Sequence, residues 1–164
     1  MGKIYFRYLE NKEKTDLLPK LFRILYTNMS QIATWEGTYK DDESAWLSYI
    51  IPELTSGRTK ILLMYAGEEI AGYFQYRIQG DTLYADEVEI KQEYQRTFLF
   101  YRFCRHLRQW MPEEIRYVSS YVNVENHNSI AIHERLGMER IGTNKRGTSW
   151  LYRGERKKME GRLR

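Results

Sequence analysis

Cysteine is nearly absent from this chain. Cys104 is the one such residue in 164 positions, which excludes an internal disulfide and a cysteine-based metal cluster. Proline is scarce, with three residues, and no proline-rich linker, internal repeat or low-complexity block interrupts the sequence. No apolar run has the length needed to span a bilayer. The opening residues Met-Gly-Lys-Ile-Tyr-Phe-Arg lack the apolar core of a secretory signal. Gly2 has Phe6, not Ser or Thr, at the sixth position, so the myristoylation pattern is incomplete. These absences lead to the expectation of a cytoplasmic protein with no membrane partner.

What is present fits one globular domain over 1–164, long enough to bury a sizeable core. A hydrophobic share of 42% with 29% charged residues is that of an ordinary folded chain. Aromatic residues reach 15%, 14 of them Tyr, which points to a ring-rich core or cleft. The net charge is +4, and part of the excess lies in Arg153, Arg156, Lys157, Lys158, Arg162 and Arg164. Such a tail is either a solvated terminus or a contact for anionic ligands. No RNA-binding motif accompanies it, so nucleic acid is not an expected partner.

Hydrophobic spacing lays out the elements. Ile4, Phe6 and Tyr8 alternate in a first strand over 3–9. Leu17, Leu18, Leu21, Phe22, Leu25 and Tyr26 form a helical stripe over 14–28, and Trp46, Tyr49, Ile50 and Leu54 another over 41–54. Residues 61–65 and 70–78 read as a hairpin about the turn 66–69, and Gly80-Asp81 turns into a strand over 82–90. Residues 98–111 carry Phe100, Phe103, Cys104, Leu107 and Met111 at helical spacing, opposite Arg102, Arg105 and Arg108. A strand over 117–124 follows, then a helix within 126–138, then a hairpin from 138–142 and 149–153. The order β-α-α-β-β-β-α-β-α-β-β describes a mixed α/β (α+β) domain.

The helix within 126–138 has a start and a stop. Asn126 or Asn128 can cap it, Ile132 and Leu136 share a face, and Gly137 can take the left-handed conformation that closes it. On the strand over 82–90, Asp86, Glu87 and Glu89 crowd together. Alternation places Asp86 with Val88 and Ile90 and sets Glu87 and Glu89 on the other face. Neighbouring carboxylates raise one another's pKa.

Three segments in this order resemble the GCN5-related N-acetyltransferase superfamily. Gly67-Glu-Glu-Ile-Ala-Gly72 looks like its strand 2–3 turn. Glu87–Gln95 is similar to its fourth strand and the exit pattern V-x-P-x-Y-R. Asn126, Ser129, His133, Glu134, Leu136, Gly137 and Met138 are similar to N-x-x-A…Y-E-x-x-G-F. The resemblance covers roughly 3–155. It implies a mixed, mostly antiparallel central sheet flanked by about four helices, in which strands four and five splay apart around acetyl-CoA.

By that resemblance, Val88 and Ile90 line the pantetheine arm and Asn126 with Ser129 contributes a polar contact. The diphosphate falls to the loop of Gln95, Arg96, Thr97, Phe98, Leu99 and Phe100, since helix-terminal N–H groups attract anions. The family pattern there is Q/R-x-x-G-x-G/A; this chain has Phe98 and Phe100 at the glycine positions. Glu87, and after it Asp86, is the expected base acting on the amine, and His133 stands where the family has its tyrosine acid for the thiolate. Arg102 is within expectation for the adenosine 3′-phosphate. Tyr26, Trp35, Tyr39, Trp46 and Tyr49 would form the acceptor side.

The implied activity is transfer of an acetyl group from acetyl-CoA to a primary amine of a small molecule or protein, with no metal. A second reading is a non-catalytic ligand-sensing or interaction domain of the same fold that has lost ordinary CoA binding. Phe98, Phe100 and His133 carry that alternative. The final hairpin offers an edge for pairing two copies into a homodimer.

Overall fold

A computed structural model describes residues 2–163; Met1 and Arg164, the last of the basic tail, lie outside them. The described residues form seven strands, β1 (Ile4–Tyr8), β2 (Lys60–Ala66), β3 (Glu69–Gln79), β4 (Thr82–Ile90), β5 (Tyr117–Asn123), β6 (Glu139–Thr143) and β7 (Ser149–Glu155), and five α-helices. The helices are α1 (Lys14–Met29), α2 (Tyr39–Thr55), α3 (Leu99–Trp110), α4 (His127–Arg135) and α5 (Arg156–Arg162). The strands form one sheet in the order β1-β2-β3-β4-β5-β7-β6. β4 and β5 run parallel; β1–β2, β2–β3, β5–β7 and β6–β7 are antiparallel. Length suggests one domain, and backbone packing divides the chain into two compact units whose boundary falls inside β3, β4 and α3.

The first unit runs to Tyr76 and includes Glu87–Phe100. Its core joins Leu18, Leu21 and Ile24 of α1 and Ile50 of α2 to Ile61, Leu63 and Tyr65 of β2 and Ile70 and Tyr73 of β3. The stripe read from the sequence is therefore the buried face of α1. α2 starts two residues before the expected boundary because Thr38 caps it, accepting from the Asp41 N–H. Of the rings expected on the acceptor side, four pack around Phe22; Tyr39 among them also lines a cleft of this unit, and Tyr49 is exposed. Phe22 lies among Tyr26, Trp35, Tyr39 and Trp46, and Tyr26 stacks on Trp35 with centroids 4.8 Å apart.

The second unit comprises Arg77–Asp86 and the chain from Tyr101 onward. β7 lies between β5 and β6, and Val122, Met138 and Tyr152 form its buried centre. The capped helix forms as expected. Asn126 Oδ1 accepts from the Ser129 N–H at 3.1 Å, Gly137 takes φ +84°, and Met138, buried, returns its N–H to the His133 carbonyl at 3.0 Å. α5 has no counterpart in the element order read from spacing. It exists because Arg156 and Met159 pack inward, Arg156 donating to the carbonyls of Met111, Pro112 and Ile115 just past α3. Three arginines of the basic tail are thereby committed within the unit. Arg156 binds these carbonyls, Arg153 lies over the Tyr117 ring at 3.9 Å, and Arg162 packs against Gly137 and donates to Arg135.

Candidate active site

The chemistry of the first unit gathers where β4 ends. Glu89, 8% exposed, is a charged residue in a strand end that the core should reserve for apolar ones. Asn28, on the last turn of α1, explains its burial: one Nδ2 hydrogen goes to Glu89 Oε2 at 2.6 Å and the other to the Ile90 carbonyl at 2.9 Å. The Glu87 and Glu89 carboxyls, two apart on β4, share a hydrogen bond. Burial pushes the Glu89 carboxyl up to about 7, against the opposing pull of the bonds from Asn28 and Glu87. Such a pair titrates as a unit.

Glu87 and Glu89 meet as alternation expects, and their neighbours differ in burial. Val88 is 38% exposed, while Ile90 is buried like Glu89. Ile90 is drawn in by Gly72 of β3. A Cβ on Gly72 would stand 2.4 Å from the Glu89 carbonyl oxygen and 3.2 Å from the Ile90 Cα, so this approach requires glycine.

The loop after β4 folds back on the same place. Gln95 Nε2 spends its hydrogens on the Ile90 carbonyl and on Asn28 Oδ1, at 3.0 and 3.2 Å. Thr97 caps the start of α3, donating to the Tyr94 carbonyl at 2.7 Å and accepting from the Leu99 N–H at 3.2 Å. Arg96 is exposed, Leu99 fully buried and Phe100 half-buried. Phe98 leaves its ring 75% exposed at the mouth of the helix. The first-turn N–H groups of α3 have no partners within the helix itself.

Asn28 also lines a cleft of about 830 Å³ in this unit. Lys20 and Arg23 of α1 form part of its wall, and Glu68, Glu69 and Glu93 another part. Arg23 lies over the Tyr39 ring at 4.9 Å, and Glu69 is tied to Lys91 and Tyr94.

The remaining candidates lie in the second unit. Asp86 is paired with Arg77, whose Nε reaches its two oxygens at 3.0 and 3.2 Å, and the same guanidinium covers the Tyr84 ring. Ser129 links the cap of α4 to His133, because its carbonyl accepts from His133 Nδ1–H at 2.6 Å. That bond assigns the proton of the neutral ring to Nδ1 and leaves Nε2 an acceptor. Burial lowers the His133 pKa, so donation from Nε2 draws on a disfavoured imidazolium. The ring lies 5.4 Å from that of Tyr152, which donates to Glu134.

Asn28, Gly72 and Glu89 are the site residues that sequence reasoning passed over. The available signal was Glu89 itself, a carboxylate between Val88 and Ile90 in an otherwise apolar strand end. Among the described residues, no group of His, Cys, Asp and Glu is arranged to hold a metal ion, and no helix is long and apolar enough to cross a membrane.

Residues 20–138 match the acetyltransferase (GNAT) family. No curated protein matches the chain. Among solved structures, an acetyltransferase from Thermus thermophilus aligns with TM-score 0.72 at 15% identity, covering 93% of this chain and 97% of that one. PaiA N-acetyltransferase from Thermoplasma acidophilum, solved with coenzyme A, aligns with TM-score 0.69 at 14% identity, over 93% and 99%. Mycobacterium smegmatis RimJ, solved with CoA-disulfide, aligns with TM-score 0.69 at 14% identity, over 99% and 88%. At these identities the likeness is one of fold.

Proposed function

Because the chain belongs to the acetyltransferase (GNAT) family, we propose that it transfers an acetyl group from acetyl-CoA to a primary amine of a small molecule or protein. The observation that carries this reading is the Glu87–Glu89 pair held by Asn28. An amine is protonated at neutral pH and attacks a carbonyl only after losing that proton. A carboxyl brought to about 7 is poised to take it up. We assign Glu89 as the base, acting directly or through water, with Glu87 sharing the proton. Asp86, bound by Arg77, serves to fasten its strand. The cleft that Asn28 lines is the proposed acceptor approach.

Acetyl-CoA supplies the acetyl group as a thioester, and coenzyme A in one similar structure and CoA-disulfide in another support it as the co-substrate. The first-turn N–H groups of α3 and the Arg96 side chain suit its diphosphate, and the backbone at Val88 and Ile90 suits the pantetheine arm. Phe98, standing exposed at that mouth, favours a second reading in which the domain senses a different ligand.

Calorimetry with acetyl-CoA, followed by thiol release with a panel of amines, tests the proposal. Binding at 100 times the dissociation constant adds about 2.7 kcal/mol of stability. Thiol release in the wild type, lowered about 100-fold or more in E89Q, is the expected result for a general base. Absence of any binding at millimolar acetyl-CoA, with binding restored in F98G, supports the sensing domain and overturns the transferase.

A further inference from the structure

Tyr73 of β3 is fully buried, and its hydroxyl has no hydrogen-bond partner among the described residues. A phenol in that state carries a desolvation cost with no return. Its ring belongs to the cluster with Leu18, Leu21 and Ile24 of α1. The same helix carries Asn28, so Tyr73 and the Glu89 carboxyl lie on the α1 side of the sheet. The preceding residue, Gly72, presses β3 against Glu89. The hydroxyl lies within the field of both Glu87 and Glu89, and this, after burial, holds its proton in place.

The donors around the Glu89 carboxyl can be counted. Both hydrogens of Asn28 Nδ2 are spent, on Glu89 and on Ile90. Both hydrogens of Gln95 Nε2 are spent, on Ile90 and on Asn28. No lysine or arginine among the described residues forms an ion pair with Glu89. While one proton remains between the two carboxyls, Glu89 needs nothing more. Once that proton leaves, the Glu89 carboxylate requires a further donor. The groups set against Glu89 are then Asn28 of α1, Glu87 of its own strand and Tyr73 of β3, and of these only Tyr73 has an uncommitted O–H.

We infer that Tyr73 is a positioning residue for the Glu87–Glu89 pair, its hydroxyl donating to the pair, directly or through one water, when the pair ionises. Its part in catalysis rests on the proposal that Glu89 is the base. The phenol keeps its proton throughout, and the proton taken from the amine resides on the carboxyl pair.

The test is Y73F, which removes the oxygen and keeps the ring. Loss of the donor disfavours the ionised pair. The acid limb of kcat/KM therefore moves up by about one pH unit, or about tenfold in rate below the limb, while KM for acetyl-CoA holds. The ¹³Cδ titration of Glu89, assigned by its loss in E89Q, moves up by the same amount and needs no turnover. 3-Fluorotyrosine at position 73, a stronger donor that preserves the packing, moves it down and covers the case in which Y73F folds poorly. A Glu89 titration unchanged in both variants overturns the inference, even if Y73F becomes more stable by losing an orphan hydroxyl. If E89Q keeps the wild-type rate and pH profile, the base assignment fails; the titration in the Tyr73 variants still decides the contact on its own.

Discussion

Asn28 and Glu89, 61 residues apart, are joined by a bond of 2.6 Å from Nδ2 to Oε2. It gives the buried carboxyl a donor from outside its own strand, and it lowers the pKa that burial raises. N28A removes this donor and the one to Ile90. The expected cost is about 1–3 kcal/mol of stability, with the acid limb of the rate profile displaced upward. Urea denaturation and a pH–rate series check both. N28D, which sets a third carboxyl against the pair, should displace the limb further than N28A.

Glu89 gives stability a pH dependence of defined sign. Its pKa rises from an ordinary 4.5 to about 7 on folding, so the folded state holds the proton more tightly. Its contribution is fully present below pH 4.5 and is lost as pH rises through 7. E89Q cannot ionise. The urea midpoint of E89Q should therefore gain on the wild type between about pH 5 and pH 8; a constant difference across that range would contradict the assignment.

Gly72 admits no side chain. G72A places a Cβ 2.4 Å from a backbone oxygen, which no rotamer can relieve. Separation of β3 from β4 at Glu89 should cost about 1–3 kcal/mol and reduce kcat more than KM for acetyl-CoA, because the carboxyl is displaced while the loop after β4 keeps its cap. Thermal unfolding and steady-state kinetics measure the two effects.

His133 titrates with the opposite consequence. Its folded pKa is lowered by burial, so its stabilising contribution is present above 6.5 and is lost as pH falls below that value. Relative to H133Q, the wild type should lose stability between about pH 7 and pH 5. Proton NMR of the imidazole should place its midpoint below the ordinary value. A midpoint above 6.5 would restore the imidazolium as a ready acid.

Local rules are readable where the deciding partner is near in sequence. Asn126 and Ser129 are three apart, and Gly137 closes the helix they open, so that element is legible to its caps. The buried face of α1 and the β2–β3 hairpin are legible from periodicity. Glu89 is not, because its burial depends on Asn28, and nothing in 82–90 announces an amide on α1. Asp86 looks available for catalysis because its partner, Arg77, lies across the Gly80-Asp81 turn. α5 escapes notice because its residues are mostly charged. It is held by Arg156 and Met159 through contacts that spacing alone does not encode.

The placement of β7 between β5 and β6 has a consequence for synthesis. On the ribosome, β5 emerges with the edge that later accepts β7 still bare, and β6 follows with no strand to join. Between Asn123 and Glu155 the nascent chain waits roughly 2–6 s at ~5–20 residues per second. Only then can β7 enter, and Arg156, the next residue, reach back to the carbonyls beyond α3. A transcript cut short before Ser149 would release a chain with two orphan strand edges, a natural client for chaperones and proteases.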